Sequence, residues 1–195
     1  MANRAEEVLV GIPDVAGGVL VSPGPLDVAS YPADAVTAVP AGMVAVGFVS
    51  EDGVTESVSR NVEKVKAWGG HTVRTVQQDY ETTYSFSFLQ FKNGDVLKAV
   101  YGADNVTGSA GTFVVKKNAQ VLERRSWLFE MEDGDTKIRL FVPNGQITEV
   151  GDVSYNHQNA IMLEVTIEAF PDENGDTAFL FTDTPAVTPL SLIHI

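Results

Sequence analysis

From residue 43 onward, polar and apolar positions mostly alternate with the period of strands, and a helical period appears clearly only once. "MVAVGFVS", residues 43–50, is a near-continuous apolar run of the kind a buried strand shows, and "EDG" closes it with a turn. "HTVRTVQQDYETTYSFSFLQF", residues 71–91, is rich in Thr, Val, Tyr and Phe. It sets Tyr84, Phe86 and Phe88 on one face against Ser85, Ser87 and Leu89 on the other. A strand of that length exceeds the usual span of about five to six residues, so part of it is expected to project beyond its sheet.

Between these runs, "SEDGVTESVSRNVEKVKAWGG" fits two periods. Val54, Val58, Val62 and Val65 fall at helical spacings, yet Thr55, Ser57 and Ser59 alternate with Val54, Glu56 and Val58 as a strand would. Residues 54–59 are largely β-branched or Ser, which penalises helix, and strand runs lie on both sides. The prediction is therefore a strand over 54–60. A second short extended piece, or a single helical turn, covers 62–68 before Gly69 and Gly70 turn the chain.

The clear helical period is "NGDVLKAVYG". Asn93 or Asp95 can cap it, Val96, Leu97, Val100 and Tyr101 make an apolar stripe, and Gly102 ends it. "TFVVKKN" reads as a strand, and "RRSWLFEMEDGDTKIRLFVPNG" as two alternating runs around a hairpin turn at Asp133 and Gly134. "ITEVGDVSYN" and "AIMLEVTIEAFPDENGDTAFLFTD" add further strands, with a second hairpin at Asn174 and Gly175. About eight to ten strands with one helix predict a mainly β fold, two packed antiparallel sheets in a sandwich or barrel-like arrangement with a flanking helix.

Residues 11–42 differ in texture. Pro13, Pro23, Pro25, Pro32 and Pro40 remove backbone donors, so residues 1–42 are expected to be an extended arm without a sheet of its own, ahead of a β-domain over 43–187. Val15, Val19, Leu20, Val21, Leu26, Val28 and Tyr31 still require burial, against this domain or a neighbouring subunit. Residues 190–195, "LSLIHI", match what one frame of a sequencing-library transposon end encodes, and are expected to be read-through.

Composition narrows the function. At 195 residues with 44% apolar and 20% charged, the chain is globular, and it holds no cysteine for disulfides, thiol catalysis or thiolate zinc sites. No apolar run reaches the length of a bilayer span, and the N-terminus lacks a secretory design, so no membrane association is expected and synthesis is expected in a cytoplasm. Thirteen Lys and Arg against 26 Asp and Glu give a net charge of −13, which argues against gripping nucleic acid. After Arg139 no Lys or Arg occurs, while Glu149, Asp152, Glu164, Glu168, Asp172, Glu173, Asp176 and Asp183 do. That asymmetry fits either a solvated surface or one that repels a polyanion.

Candidate chemistry is sparse. His71, His157 and His194 have no acids in ligand spacing, and no nucleophile elbow, zincin, phosphate-loop or dinucleotide motif is present. "DENGD", 172–176, lacks the glycine and closing glutamate of a calcium loop and reads better as a turn. Trp68, Trp127 and the row Tyr80, Tyr84, Phe86, Phe88 and Phe91 are expected to fill the core. No catalytic, cofactor-binding or metal residue is nominated, no cofactor is implied, and an enzyme is not expected.

Four motifs occur in order: "GFVSEDG" at 47–53, "AWGG" at 67–70, the long strand ending in the aromatic-rich stretch, and "VLKAVYG" at 96–102. This block resembles the central part of the major tail, or tail tube, proteins of long non-contractile-tailed (siphovirus-type) phages, especially those of actinobacteria, and its core is similar to that of type VI secretion tube proteins. The resemblance implies a structural virion protein whose copies form stacked hexameric rings, with long strands joined into a barrel around a lumen that conducts DNA during ejection. It implies partners in the tape measure, tail terminator and distal tail proteins, passing DNA without specific binding, and assembly in the host bacterial cytoplasm. Some of the eight acids after Arg139, with Glu130, Glu132, Asp133 and Asp135, are then expected at the lumen or ring interface. Two other classes compete: a β-sandwich carbohydrate-binding or adhesion module, and a hydrolase with an unrecognised carboxylate pair.

Overall fold

The computed structural model describes residues 8–14 and 18–184. In chain order the strands are β1 (Ile12–Pro13), β2 (Val19–Val21), β3 (Val44–Ala45), β4 (Thr55–Lys66) and β5 (Thr72–Phe88). Helix α1 (Gly94–Tyr101) follows, then β6 (Val106–Ser109), β7 (Thr112–Val115), β8 (Arg125–Asp133), β9 (Thr136–Val150), β10 (Leu163–Ala169) and β11 (Phe179–Asp183). Nine strands make one antiparallel sheet in the order β3-β2-β8-β9-β10-β5-β4, with β1 added on β8 and β11 on β9, while β6 and β7 pair separately. The mainly β expectation with one helix holds, and a single chain does not close a barrel.

One face of the large sheet carries the core. Tyr84, Phe86 and Phe88 of β5, Val165 and Ile167 of β10, Trp127 and Phe129 of β8 and Val142 of β9 are buried in one cluster. Phe86 is its hub, with ring centroids 4.9 Å from Phe88 and 5.6 Å from Phe129. Helix α1 covers this face with Val96, Leu97, Ala99 and Val100. It begins where the Asn93 side chain accepts from the Asp95 N–H, 2.9 Å away, and stops at Gly102, whose φ of 90° suits glycine.

The ambiguous segment resolves as one strand. β4 runs unbroken through 62–66 and pairs with β5 from Thr55↔Ser85 to Lys66↔Thr72, so the split into two pieces was too cautious. Two register shifts lie along the pair, after Asn61 and after Val65 of β4, with the extra residues, Gln78 and Val73, on β5.

Two other expected boundaries move. β9 continues through Pro143, Asn144 and Gly145 into the "ITEV" run, which sequence reading had made a separate strand. On one edge Pro143 falls in the gap between β10, which stops at Ala169↔Gly145, and β11, which starts at Phe179↔Phe141; on the other edge it falls at the β8–β9 register shift, where Ser126 Oγ donates to its carbonyl. For the same reason Asn174 and Gly175 do not make a β10–β11 hairpin: both strands pair with β9, end to end along one edge. "DENGD" is the turn between them, with Asp172 Oδ1 accepting from the Asn174 and Asp176 amides. At the β8–β9 hairpin the pairing Asp133↔Thr136 puts Gly134 and Asp135 in the turn, one residue later than expected.

The proline-rich segment docks on its own sheet. Val19, Leu20 and Val21 are buried, and β2 enters the sheet between β3 and β8. Leu26, Tyr31, Val39 and Met43 cover Leu128 and Phe141 on the face opposite the main core. Side chains replace backbone pairing where prolines prevent it: Ser126 Oγ accepts from the Leu26 amide at 2.8 Å, and Ser22 Oγ from the Ser126 amide at 2.9 Å. Arg139, only 3% exposed, donates to Glu130 and, at 3.0 Å, to the Asp34 carbonyl. Hydrogen bonds from the Thr37 amide foremost hold the Asp34 carboxyl below its usual range, fixing the turn that Arg139 reaches.

Two stability measurements follow. An added Cβ at Gly145 would lie 2.7 Å from Trp127 and 2.8 Å from Ile167, so Gly145→Ala should cost about 1–3 kcal/mol in urea unfolding. Arg139→Ala, which leaves Glu130 without its partner, should cost about 3–5 kcal/mol, whereas the double change Arg139→Met, Glu130→Leu should come close to wild type. Equal losses in the two Arg139 variants would show that the ion pair itself is not what holds the segment.

Candidate functional surface

On β10, Leu163, Val165, Ile167 and Ala169 point into the core and Glu164, Thr166 and Glu168 point away. Directly paired residues share a face, so the register extends this outer row. Glu164 stands beside Ser87, Thr166 beside Ser85 and Glu168 beside Thr83. Ser85, Thr83, Glu81 and Asp79 stand in turn beside Thr55, Ser57, Ser59 and Asn61 of β4. Across β9, Thr166 faces Glu149 and Glu168 faces Gln146.

The outer face of β10, β5 and the first half of β4 is thus a carpet of short hydroxyls and carboxylates with no Lys or Arg at these positions. Ser85 and Thr166 join by a 3.0 Å hydrogen bond across it. On β2, β8 and β9 the same side of the sheet is apolar and roofed by the 26–43 segment. One sheet side therefore has a covered apolar half and a bare acidic half.

Next to the bare half the strands outrun their support. β5 has β10 on one edge only from Thr82 to Phe88; from Thr72 to Glu81 its sole partner among the described residues is β4. Ten residues beyond Thr82 make a two-stranded projection of roughly 33 Å. Every residue of β4 is exposed. The outer edge of β4, this stretch of β5 and the outer edge of β11 have no strand partner among the described residues. The hairpin root is anchored by the buried Tyr84, whose hydroxyl donates to Glu56 at 3.1 Å.

The nominated acids divide. Glu149, Glu164 and Glu168 lie on the bare face, but Glu130 is held by Arg139, Glu132 by Lys137, and Asp133 accepts from the Val10 amide. Asp172 is engaged by its own turn. Glu81 and Asp79 were missed, although they continue the alternation that puts Thr83 and Ser85 opposite Tyr84 and Phe86.

Two aromatic expectations fail. Trp127 is buried, but Trp68 sits fully exposed on the hairpin turn, and Tyr80 is exposed on β5 beneath Arg60. The aromatic row is core only where β10 backs β5. His71 lies on the hairpin turn and His157 in the exposed loop before β10; His194 and the 190–195 stretch lie outside the described residues.

With this geometry in view, comparisons with known proteins locate the chain. It is similar to a tube-terminating cap protein of the anti-feeding prophage, at 11% identity and TM-score 0.49, over 94% of this chain and 100% of that one. It is also similar to a chain of the extended sheath–tube complex of an extracellular contractile injection system, at 12% identity and TM-score 0.47, over 92% and 98%. A chain of the sheath/tube terminator of such a system gives 13% identity and TM-score 0.47, over 89% and 98%. No curated protein matches the chain. A family model described as phage tail tube protein matches residues 1–190, and the chain belongs to that family.

Proposed function

We propose that this chain is the repeating subunit of the hollow tail tube of a long non-contractile-tailed phage, forming stacked six-fold rings whose lumen conducts DNA during ejection. The observation that carries the reading is the bare acidic face of β10, β5 and β4 continuing into a projecting hairpin with unpaired edges. An isolated two-stranded ribbon is marginal in water, and unpaired edges invite pairing. A closed ring of copies, each offering its β4 edge to the next, satisfies both needs and joins the sheets into a barrel. The outer row then lines the lumen, where Glu81, Glu149, Glu164 and Glu168 repel phosphate and let the duplex slide without binding.

In this reading residues 43–187 are the tube domain and residues 1–42 an N-terminal arm that lays β1 and β2 into that domain's sheet. The tape measure, tail terminator and distal tail proteins are its partners in the virion, and assembly takes place in the host cytoplasm. The role is architectural, and no catalytic, cofactor or metal residue is assigned to it. A glycan-binding platform would require neighbouring exposed aromatics, and Trp68 is the one aromatic between residues 61 and 79.

Negative-stain microscopy with light scattering on residues 1–189 should show six-fold rings or hollow tubes. A chain that stays monomeric at high concentration would overturn the reading. In assembled virions, Glu168→Lys should slow DNA ejection about tenfold, by attraction in place of repulsion, with tube length unchanged. An unaltered ejection rate would remove Glu168 from the lumen.

A further inference from the structure

The hairpin turn is chemically unlike the rest of the molecule. From Lys64 to Val76 there is no acid, on a chain of net charge −13. Lys64, Lys66, His71 and Arg74 are all exposed, and none pairs with a carboxylate among the described residues. Trp68 stands among them on a turn closed by the Ala67 amide and His71 carbonyl at 2.8 Å, with Gly69 and Gly70 at φ of 106° and 88°. A large apolar ring with a donor-only N–H is thus displayed by a defined turn, its burial unrealised.

A pocket of about 510 Å³ has the opposite character. Its walls are Pro25, Pro143, Pro171 and the half-buried Tyr31, and Asp27, Asp172 and Glu173 surround it without a lining cation. Asn144 Oδ1 and Asp172 Oδ2 have no donor among the described residues. Burial foremost, and after it the Asp172 and Glu173 charges, push the Tyr31 hydroxyl up. Other cavities suit a cationic visitor less: those containing Arg125, Lys92, or Lys137 with Arg139 have their own cations, and in the one at the hairpin root Glu56 already accepts from Tyr84.

A chain cannot fill its own pocket. Ala169 pairs with both Thr82 and Gly145, so the pocket at Asn144 lies level with Thr82, and the turn lies roughly 33 Å further along the strands.

We propose that Trp68 and its flanking cations on one copy dock into the Asp27–Tyr31–Glu173 pocket of a second copy. The contact rests on the tube-subunit reading, because it joins identical chains. It is heterologous, tip to pocket, so every docked pair keeps one free tip and one free pocket and the contact propagates along an axis. The prolines and Tyr31 offer flat faces to the indole, and the carboxylates meet Lys66, His71 and Arg74, giving both apolar burial and charge complementarity.

The absence of cysteine permits a direct test on the full chain. Under mild oxidation the double variant His71→Cys, Glu173→Cys should give a ladder of reducible multimers, an equal mixture of the two single variants should stop at dimers, and each single variant alone should remain monomeric. Dimers from His71→Cys alone, meaning tip against tip, would overturn the proposal. Hollow tubes without a ladder would overturn the contact and leave the tube reading standing; a ladder without tubes would support the contact and count against that reading. In the wild type, acrylamide quenching reads Trp68, since Trp127 is buried. Assembly should lower the quenchable fraction several-fold, and a 20-nucleotide single strand added to unassembled protein should not. Protection by the oligonucleotide alone would make nucleic acid the partner of this basic aromatic tip and sink the proposal.

Discussion

The backbone of β5 needs two neighbours and has them for only part of its length. From Thr82 to Ser85 it lies between β4 and β10, and β10 alone continues beside it to Phe88; along this stretch its inward side chains are Thr82, Tyr84, Phe86 and Phe88, all buried. Before Thr82 one neighbour is gone, and with it the burial. Side-chain environment follows backbone support: the same alternating strand makes a core where a third strand backs it and an exposed ribbon where none does. The aromatic hub, the bare acidic face and the projecting edges all follow from where β10 ends.

That end is fixed on β9. Its fifteen residues take β10 on one half of an edge and β11 on the other, and the gap falls at Pro143, the one position of the strand with no amide to offer. The turn holding Asp172 bulges out at the same level, against the proline-rich segment at Tyr31. The gap beside Pro143, the start of the hairpin's projection and the acidic pocket thus fall at one level of the sheet.

Much of this could be read from the sequence because it is local. The capping of α1 by Asn93, the length of β5 and the facing of Tyr84, Phe86 and Phe88 are properties of neighbouring residues, and the structure bears them out. What could not be read depended on partners distant in sequence. Tyr80 carries the same strand pattern as Tyr84 and is exposed where no third strand lies beside it, while Trp68 is exposed because it stands on the hairpin turn. The β10–β11 hairpin was inferred from a correct turn, but whether flanking strands pair with each other or line up along a third is not encoded in the turn. Likewise, Glu130 looks as free as Glu168 until Arg139 is found nine residues on, folded across the hairpin to hold it.

The charge pattern carries the same distinction between local and long-range effects. An acidic chain of this size resists self-association through its net charge, yet a tube requires many copies in contact. Concentrating cations at a hairpin turn and leaving acids unneutralised on a flat sheet face gives attraction at defined points and repulsion elsewhere. Short-range contacts at the turn act within about a Debye length, roughly 8 Å in physiological salt, where the opposite charges of a docked pair dominate over the distant net charge. On the proposed tube reading, assembly and an unadhesive inner surface are compatible in one chain because the cationic turn and the acidic face of β10, β5 and β4 lie apart.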